Sequence, residues 1–179
     1  MNSPNLLRLV ILVACAHGLV HVYELSLPSV EQQIADDFYT NDVAAGKAMT
    51  GLMSNSWRFT WGMGALVAGW LVDRFGGRRM LAIYLFGCSA MCALLTLCLT
   101  ASSMFAVMLI MGAFASIYHP AGLALLSHHT RPENRPRALG LHGIIGSAGI
   151  GGAPLIAWLV FQAGFSWRAY YLLLAVPVS

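Results

Sequence analysis

Gly69-Trp70-Leu71-Val72-Asp73-Arg74-Phe75-Gly76-Gly77-Arg78-Arg79-Met80-Leu81 is a short charged turn set between two long apolar runs. Apolar residues lead into it from about Ala48 and continue beyond it to about Thr100. A run of about 20 predominantly apolar residues is enough to cross a bilayer. The turn is therefore expected where one span leaves a membrane and the next re-enters, as a tight interfacial hairpin.

Composition extends that reading to the whole chain. Hydrophobic residues make up 58% and charged residues 9%, whereas a soluble domain has roughly 45–50% and about 25%. A water-soluble fold is excluded on that basis. Five apolar runs fall at about 6–30, 48–71, 80–100, 103–127 and 138–162, and a sixth starts near Trp167. From there to Ser179 the helix would be only ~20 Å long at 1.5 Å per residue, too short to cross, so truncation within the sixth helix is expected. The fold class expected is all-α, a polytopic membrane helix bundle with five full transmembrane helices plus the start of a sixth.

The formal charge of +3 is small, and its distribution follows membrane topology rather than nucleic-acid binding. The first loop carries Glu31, Asp36, Asp37, Asp42 and Lys47; the second carries Arg74, Arg78 and Arg79; the fourth carries Arg131, Arg135 and Arg137. Short loops rich in Arg and Lys stay cytoplasmic, which puts the N-terminus with Arg8 inside as well. Pro28 is expected to end the first span, leaving Glu31 to Asp42 as an outer loop. Ala14-Cys15-Ala16 imitates a signal or lipoprotein processing site, but apolar character continues through Leu27, as in a full span. Cys15, Cys88, Cys92 and Cys98 lie within apolar runs and read as small packing residues. The third span has no charged side chain and is expected to be the lipid-facing helix.

The turn resembles the loop 2–3 signature of the major facilitator superfamily, written G-x-L-a-D-r-x-G-r-k-x-x-l. Gly69, Leu71, Asp73, Arg74, Gly76, Arg78 and Leu81 occupy matching positions. Gly77 departs from the pattern where Arg or Lys is usual, and Arg79 supplies a charge two residues later. Trp167-Arg168 is similar to the dipeptide that opens the sixth helix in that superfamily. In the fifth run Gly140, Gly143, Gly146, Gly149 and Gly152 recur three apart, close to one helical face, so this helix is expected to present a groove of bare backbone to its neighbours. The run resembles the glycine-rich fifth helix of drug–proton antiporters, although Gly151-Gly152-Ala153-Pro154 stands in an altered order. What the resemblance implies is residues 1–179 as the N-terminal six-helix domain of a twelve-helix secondary transporter in a bacterial inner membrane. It also implies a gating role for Gly69, Asp73, Arg74, Gly76, Arg78 and Arg79, in contact with a C-terminal half or a second copy.

Two charged side chains fall inside spans, Glu24 and Arg58. Such groups are costly, on the order of 2.5–3.5 kcal/mol by insertion scales, and have a pairing or functional reason. Glu24 lies ~24 Å along its helix from Arg8, and Arg58 ~22 Å from Asp73, so the two reach similar depths on adjacent helices. A structural ion pair is one reading; an anionic substrate on Arg58 is the other. His17, His21 and Glu24 share a helical face, and Tyr118-His119-Pro120 sits at mid-depth on the fourth span. His17, His21, Glu24, Arg58 and His119 are the candidate substrate or proton residues, with interhelical hydrogen bonding as the alternative for each histidine. His142, near the cytoplasmic end, reads as structural. Pro120 lacks an N–H and clashes one turn back, which predicts a kink in the fourth helix.

No phosphate-binding glycine loop with its lysine is present, nor a local nucleophile or metal-ligand cluster. Accordingly no enzyme activity, cofactor or metal is expected. The function expected is secondary transport of a small solute, as proton-coupled export of an organic anion or drug; a non-transporting scaffold or a truncated remnant is the alternative.

Overall fold

The computed structural model describes residues 4–176. Within them the chain folds into seven helices with no strand: α1 (Pro4–Phe38), α2 (Val43–Phe75), α3 (Gly77–Leu95), α4 (Ala101–Ala115), α5 (Tyr118–His129), α6 (Arg135–Gln162) and α7 (Trp167–Leu174). The fold class is the expected all-α bundle. Residues 177–179, the last of the expected sixth span, lie outside the described residues.

Length and apolarity together qualify four segments as membrane spans: Pro4–Phe38, Gly77–Leu95, Ala101–His129 and Arg135–Gln162. The expected count of five is thus met by length but not by composition. The difference is α2, which has 33 residues but carries Ser54, Asn55, Ser56 and Arg58 along its middle. A span with so many polar groups is tolerated where they face other helices or water rather than lipid.

Three further expectations are corrected. Pro28 does not end α1, which runs ten residues further to Phe38. Proline forfeits one helical hydrogen bond, while continuing the helix buries Val30, Ile34 and Ala35, and Ser29 Oγ donates to the Leu25 carbonyl at 2.7 Å beside the break. The acidic outer loop consequently shrinks to the few residues before Asp42, whose carboxylate caps α2 by accepting from the Ala45 N–H at 2.9 Å. Among the four qualifying spans the most uncovered is α6, not α3. One face of α3 is sealed by Met80, Tyr84, Cys88, Ser89, Cys92 and Leu95.

The third correction concerns the glycines of α6. Steps of three residues slip by about 60° each around a helix of 3.6 residues per turn, so five glycines three apart cannot stay on one face. The buried seam is Ala138, His142, Gly146, Gly149, Ala153 and Ala157. Gly140, Gly143 and Gly151 look into open space. On α2 likewise Gly51, Gly62 and Gly69 face open space, whereas Gly46 meets Ala35 and Gly64 meets Ser116. Along its seam α6 makes the most extensive helix–helix contact of the fold, against α1.

The charged turn is tighter than a hairpin loop. Gly76 alone links α2 to α3, at φ 85, a left-handed conformation that side chains disfavour. Gly77, the departure from the family pattern, has a structural reason: a Cβ there would lie 2.9 Å from Leu125 Cγ and 3.1 Å from the Ala121 carbonyl oxygen. Arg74 rests over the Trp70 and Phe75 rings at 5.5 and 5.8 Å. Asp73 makes no ion pair among the described residues.

The fourth span is interrupted at Ser116 and Ile117, between α4 and α5. Ser116 lies four residues before Pro120, where the proline ring conflicts with helical backbone, so the kink falls where expected. At the opposite end from the charged turn, Asp37 closes the bundle. Its Oδ2 accepts from Arg168 Nη1 at 2.6 Å and from Trp167 Nε1 at 3.2 Å, and Arg168 Nη2 reaches the Cys98 carbonyl at 3.3 Å. Both side chains of the ion pair remain partly exposed, 34% and 43%, so Arg168→Ala is expected to cost only about 1 kcal/mol. Thermal unfolding of the detergent-extracted protein measures this; a drop of several times that size would show the clasp to be a principal fastening.

Candidate functional site

Polar side chains from α1, α2, α5 and α6 converge inside the bundle, and the crossing of α1 on α6 places them. Gly18 and Gly149 meet backbone to backbone, the kind of approach that small residues permit between membrane helices. One turn along, His17 packs against Gly146 and stacks on His142 with ring centroids 3.9 Å apart. His17 Nδ1 lies 2.8 Å from the His142 carbonyl oxygen. A carbonyl only accepts, so Nδ1 carries the proton.

From His17 the chain of contacts runs along one face of α1. His21 Nε2 faces His17 Nε2 at 3.2 Å, and His21 Nδ1 lies 2.9 Å from Glu24 Oε2. The other carboxylate oxygen, Oε1, lies 3.6 Å from Arg58 Nε on α2. Glu24 is mostly shielded, with 18% side-chain exposure, whereas Arg58 keeps 40%. Arg58 therefore meets Glu24 through Nε while its side chain stays partly open, a geometry in which its other donors can meet the oxygens of a solute.

His119 comes from α5, at the kink made by Pro120. Its ring sits edge-on to His17 at 5.5 Å and lies 5.6 Å from Trp61 on α2. The neighbouring Tyr118 is fully buried and ties three helices together. Its hydroxyl donates to the Val13 carbonyl at 2.8 Å and so accepts from His142 Nε2–H at 2.9 Å. His142 thus fills the structural place expected of it, holding Tyr118 with one ring atom and His17 with its backbone.

All five candidate residues, His17, His21, Glu24, Arg58 and His119, are brought together in one cluster. Spacing alone united the first three; the depth count paired Glu24 with Arg58. Missed were Tyr118 as a fastening and Trp61 as the wall beside His119. Both join only through contacts between helices far apart in sequence, which leave no local signal. Of the gating candidates, Asp73, Gly76, Arg78 and Arg79 line a separate hollow at the basic end with His128 and His129 of α5, while Gly69 opens onto empty space and Arg74 rests on Trp70 and Phe75. A hollow of about 440 Å³ between the starts of α1 and α3 is also apart from the cluster. Its walls are apolar except for Asn5, Arg8 and Arg78.

The sequence profile described as Major Facilitator Superfamily matches residues 12–178. The Tetracenomycin C resistance and export protein of Streptomyces glaucescens is 27% identical over 169 residues, an alignment that takes in 94% of this chain and 30% of that protein. The chain therefore spans less than a third of the length of this relative.

Proposed function

The chain belongs to the Major Facilitator Superfamily, and from that premise we propose that it is the N-terminal half of a secondary active transporter whose solute binds at the Glu24–Arg58–histidine cluster. It is an integral, multi-pass membrane protein. Transporters of this kind hold solute between two helical halves near mid-membrane and rock around it. The observation that carries the reading is a carboxylate and guanidinium paired inside the helix bundle, linked through His21 to His17 with His119 edge-on beside it, and with the Arg58 side chain partly open. Such groups inside a membrane mark substrate or ion pathways.

The substrate class we propose is an organic anion or drug, moved outward and driven by an ion gradient. Arg58 supplies the charge for the anion, and the printed role of the Streptomyces relative in resistance and export supports the direction. The bias of Arg and Lys toward one end supports a cytoplasmic N-terminus in a bacterial inner membrane. On this reading Asp73, which makes no ion pair among the described residues, and the arginines of the turn serve as a latch toward a second half.

Export assays in cells or vesicles test it. A hydrogen bond to a charged group contributes about 1.5–3 kcal/mol, so Arg58→Gln is expected to lower transport about ten- to a hundredfold. Arg58→Lys should retain part of it. Unchanged transport by both variants, at normal membrane insertion, would sink the role of Arg58.

A further inference from the structure

We propose that His17, His21 and His119 form a binding site for a divalent transition-metal ion of the zinc class. The inference goes beyond solute transport, because it concerns a ligand of the cluster that is measurable without any transport.

Two ring protons are already placed by their acceptors. His17 Nδ1–H is given to the His142 carbonyl at 2.8 Å, and His21 Nδ1–H is given to the Glu24 carboxylate at 2.9 Å. A neutral imidazole has one ring proton. Both Nε2 atoms are then bare, and they point at each other 3.2 Å apart. Two facing lone pairs repel unless a cation lies between them.

A transition metal fits the space. Metal–nitrogen bonds of about 2.0–2.1 Å in a tetrahedron put ligand nitrogens about 3.4 Å apart, close to the 3.2 Å observed. A third nitrogen is at hand, since ligand atoms of His17, His21 and His119 all lie within 4.8 Å of one another. Closing of that gap by the His119 side chain would complete one face of a tetrahedron from the three nitrogens. His119 makes no hydrogen bond among the described residues, so turning its ring breaks none; its neighbours are the rings of His17, His21, Trp61 and Tyr118.

The surroundings match as well. Metal-binding histidines characteristically donate their other ring N–H to a backbone carbonyl or a carboxylate, which fixes the ring and raises its basicity. His17 has the carbonyl and His21 the carboxylate. Glu24 is in turn steadied by Arg58 at 3.6 Å. Imidazole donors favour zinc, copper, nickel and cobalt over magnesium or calcium. Three protein ligands leave a fourth position for water or solute.

The test uses protein purified in detergent through an affinity tag free of histidine. Cobalt(II) is titrated while its visible absorption is followed, and zinc(II) then displaces it. Expected is one ion per chain with the intensity of a tetrahedral complex, undisturbed by excess magnesium. His21→Ala and His119→Ala should each weaken binding at least about tenfold, and the shape-preserving Glu24→Gln about ten- to a hundredfold. His128→Ala with His129→Ala should leave it unchanged, those residues lying at the far end of α5. Absence of a tetrahedral spectrum from the folded protein would overturn the site, showing that a proton alone bridges the two rings. So would binding that survives His21→Ala and vanishes with His128 and His129. Arg58→Gln leaves all three ligands in place, so failure of transport and failure of metal binding are told apart.

Discussion

Gly149→Val is expected to leave little folded protein in the membrane. A Cβ at this position would fall on the backbone of Gly18, at its carbonyl group and Cα. A side chain can rotate away from such a clash; backbone inside a packed helix cannot. The two helices would have to separate, and theirs is the most extensive contact in the fold. Overpacking ordinarily costs about 1–3 kcal/mol, and a backbone collision belongs at or above the top of that range. Separation would also break the 2.8 Å bond from His17 to the His142 carbonyl and the 3.9 Å stack of their rings. Gly143→Val is the control, since that glycine opens onto empty space. Size-exclusion profiles and melting curves of extracted protein should show the control intact and Gly149→Val aggregated or strongly destabilised. Equal melting of the two would mean that α1 and α6 do not meet where described.

The second large effect is expected at Glu24. Glu24→Ala removes the counter-charge from Arg58 and the acceptor from His21 at one stroke. Breaking a buried ion pair costs about 3–5 kcal/mol because one charge is left unmatched; with 40% of the Arg58 side chain exposed, about 2 kcal/mol is a fitting expectation. Transport should fall to background. Pairing makes a further demand on the double variant Glu24→Ala with Arg58→Ala. It should be more stable than the sum of the single losses predicts, since neither charge is then left alone, while transport stays absent. Stability losses that simply add would place the two residues too far apart to interact.

Much of this architecture was legible because membrane sequences are read against a solvent of fixed thickness. The turn from Gly69 to Leu81 gave the family pattern, and apolar run lengths gave the helical class. Local rules failed where tertiary packing overrode them. Pro28 looked like a helix end, yet the burial of Val30 and Ile34 carried α1 past it. The glycines of α6 suggested one groove by their spacing, but only Gly146 and Gly149 belong to the buried seam. The middle of α2 was counted with the apolar spans, and its polar residues set it apart.

The cluster was half legible in the same sense. His17, His21 and Glu24 follow helical spacing, and Arg58 matched Glu24 by depth along its helix. The carbonyl of His142 and the hydroxyl of Tyr118 were not readable, because their positions depend on where Gly18 crosses Gly149. Likewise the three histidines proposed to hold a metal are not adjacent in sequence; folding alone brings His119 to the pair on α1.

The most direct measurement of the central claim, a solute site at Glu24 and Arg58, is an experimental density map of the protein in lipid with the proposed organic anion bound. The account predicts solute within hydrogen-bond distance of the Arg58 guanidinium and against the histidines of α1 and α5. Solute bound elsewhere, with Glu24 and Arg58 sealed off from it by protein, would contradict the account.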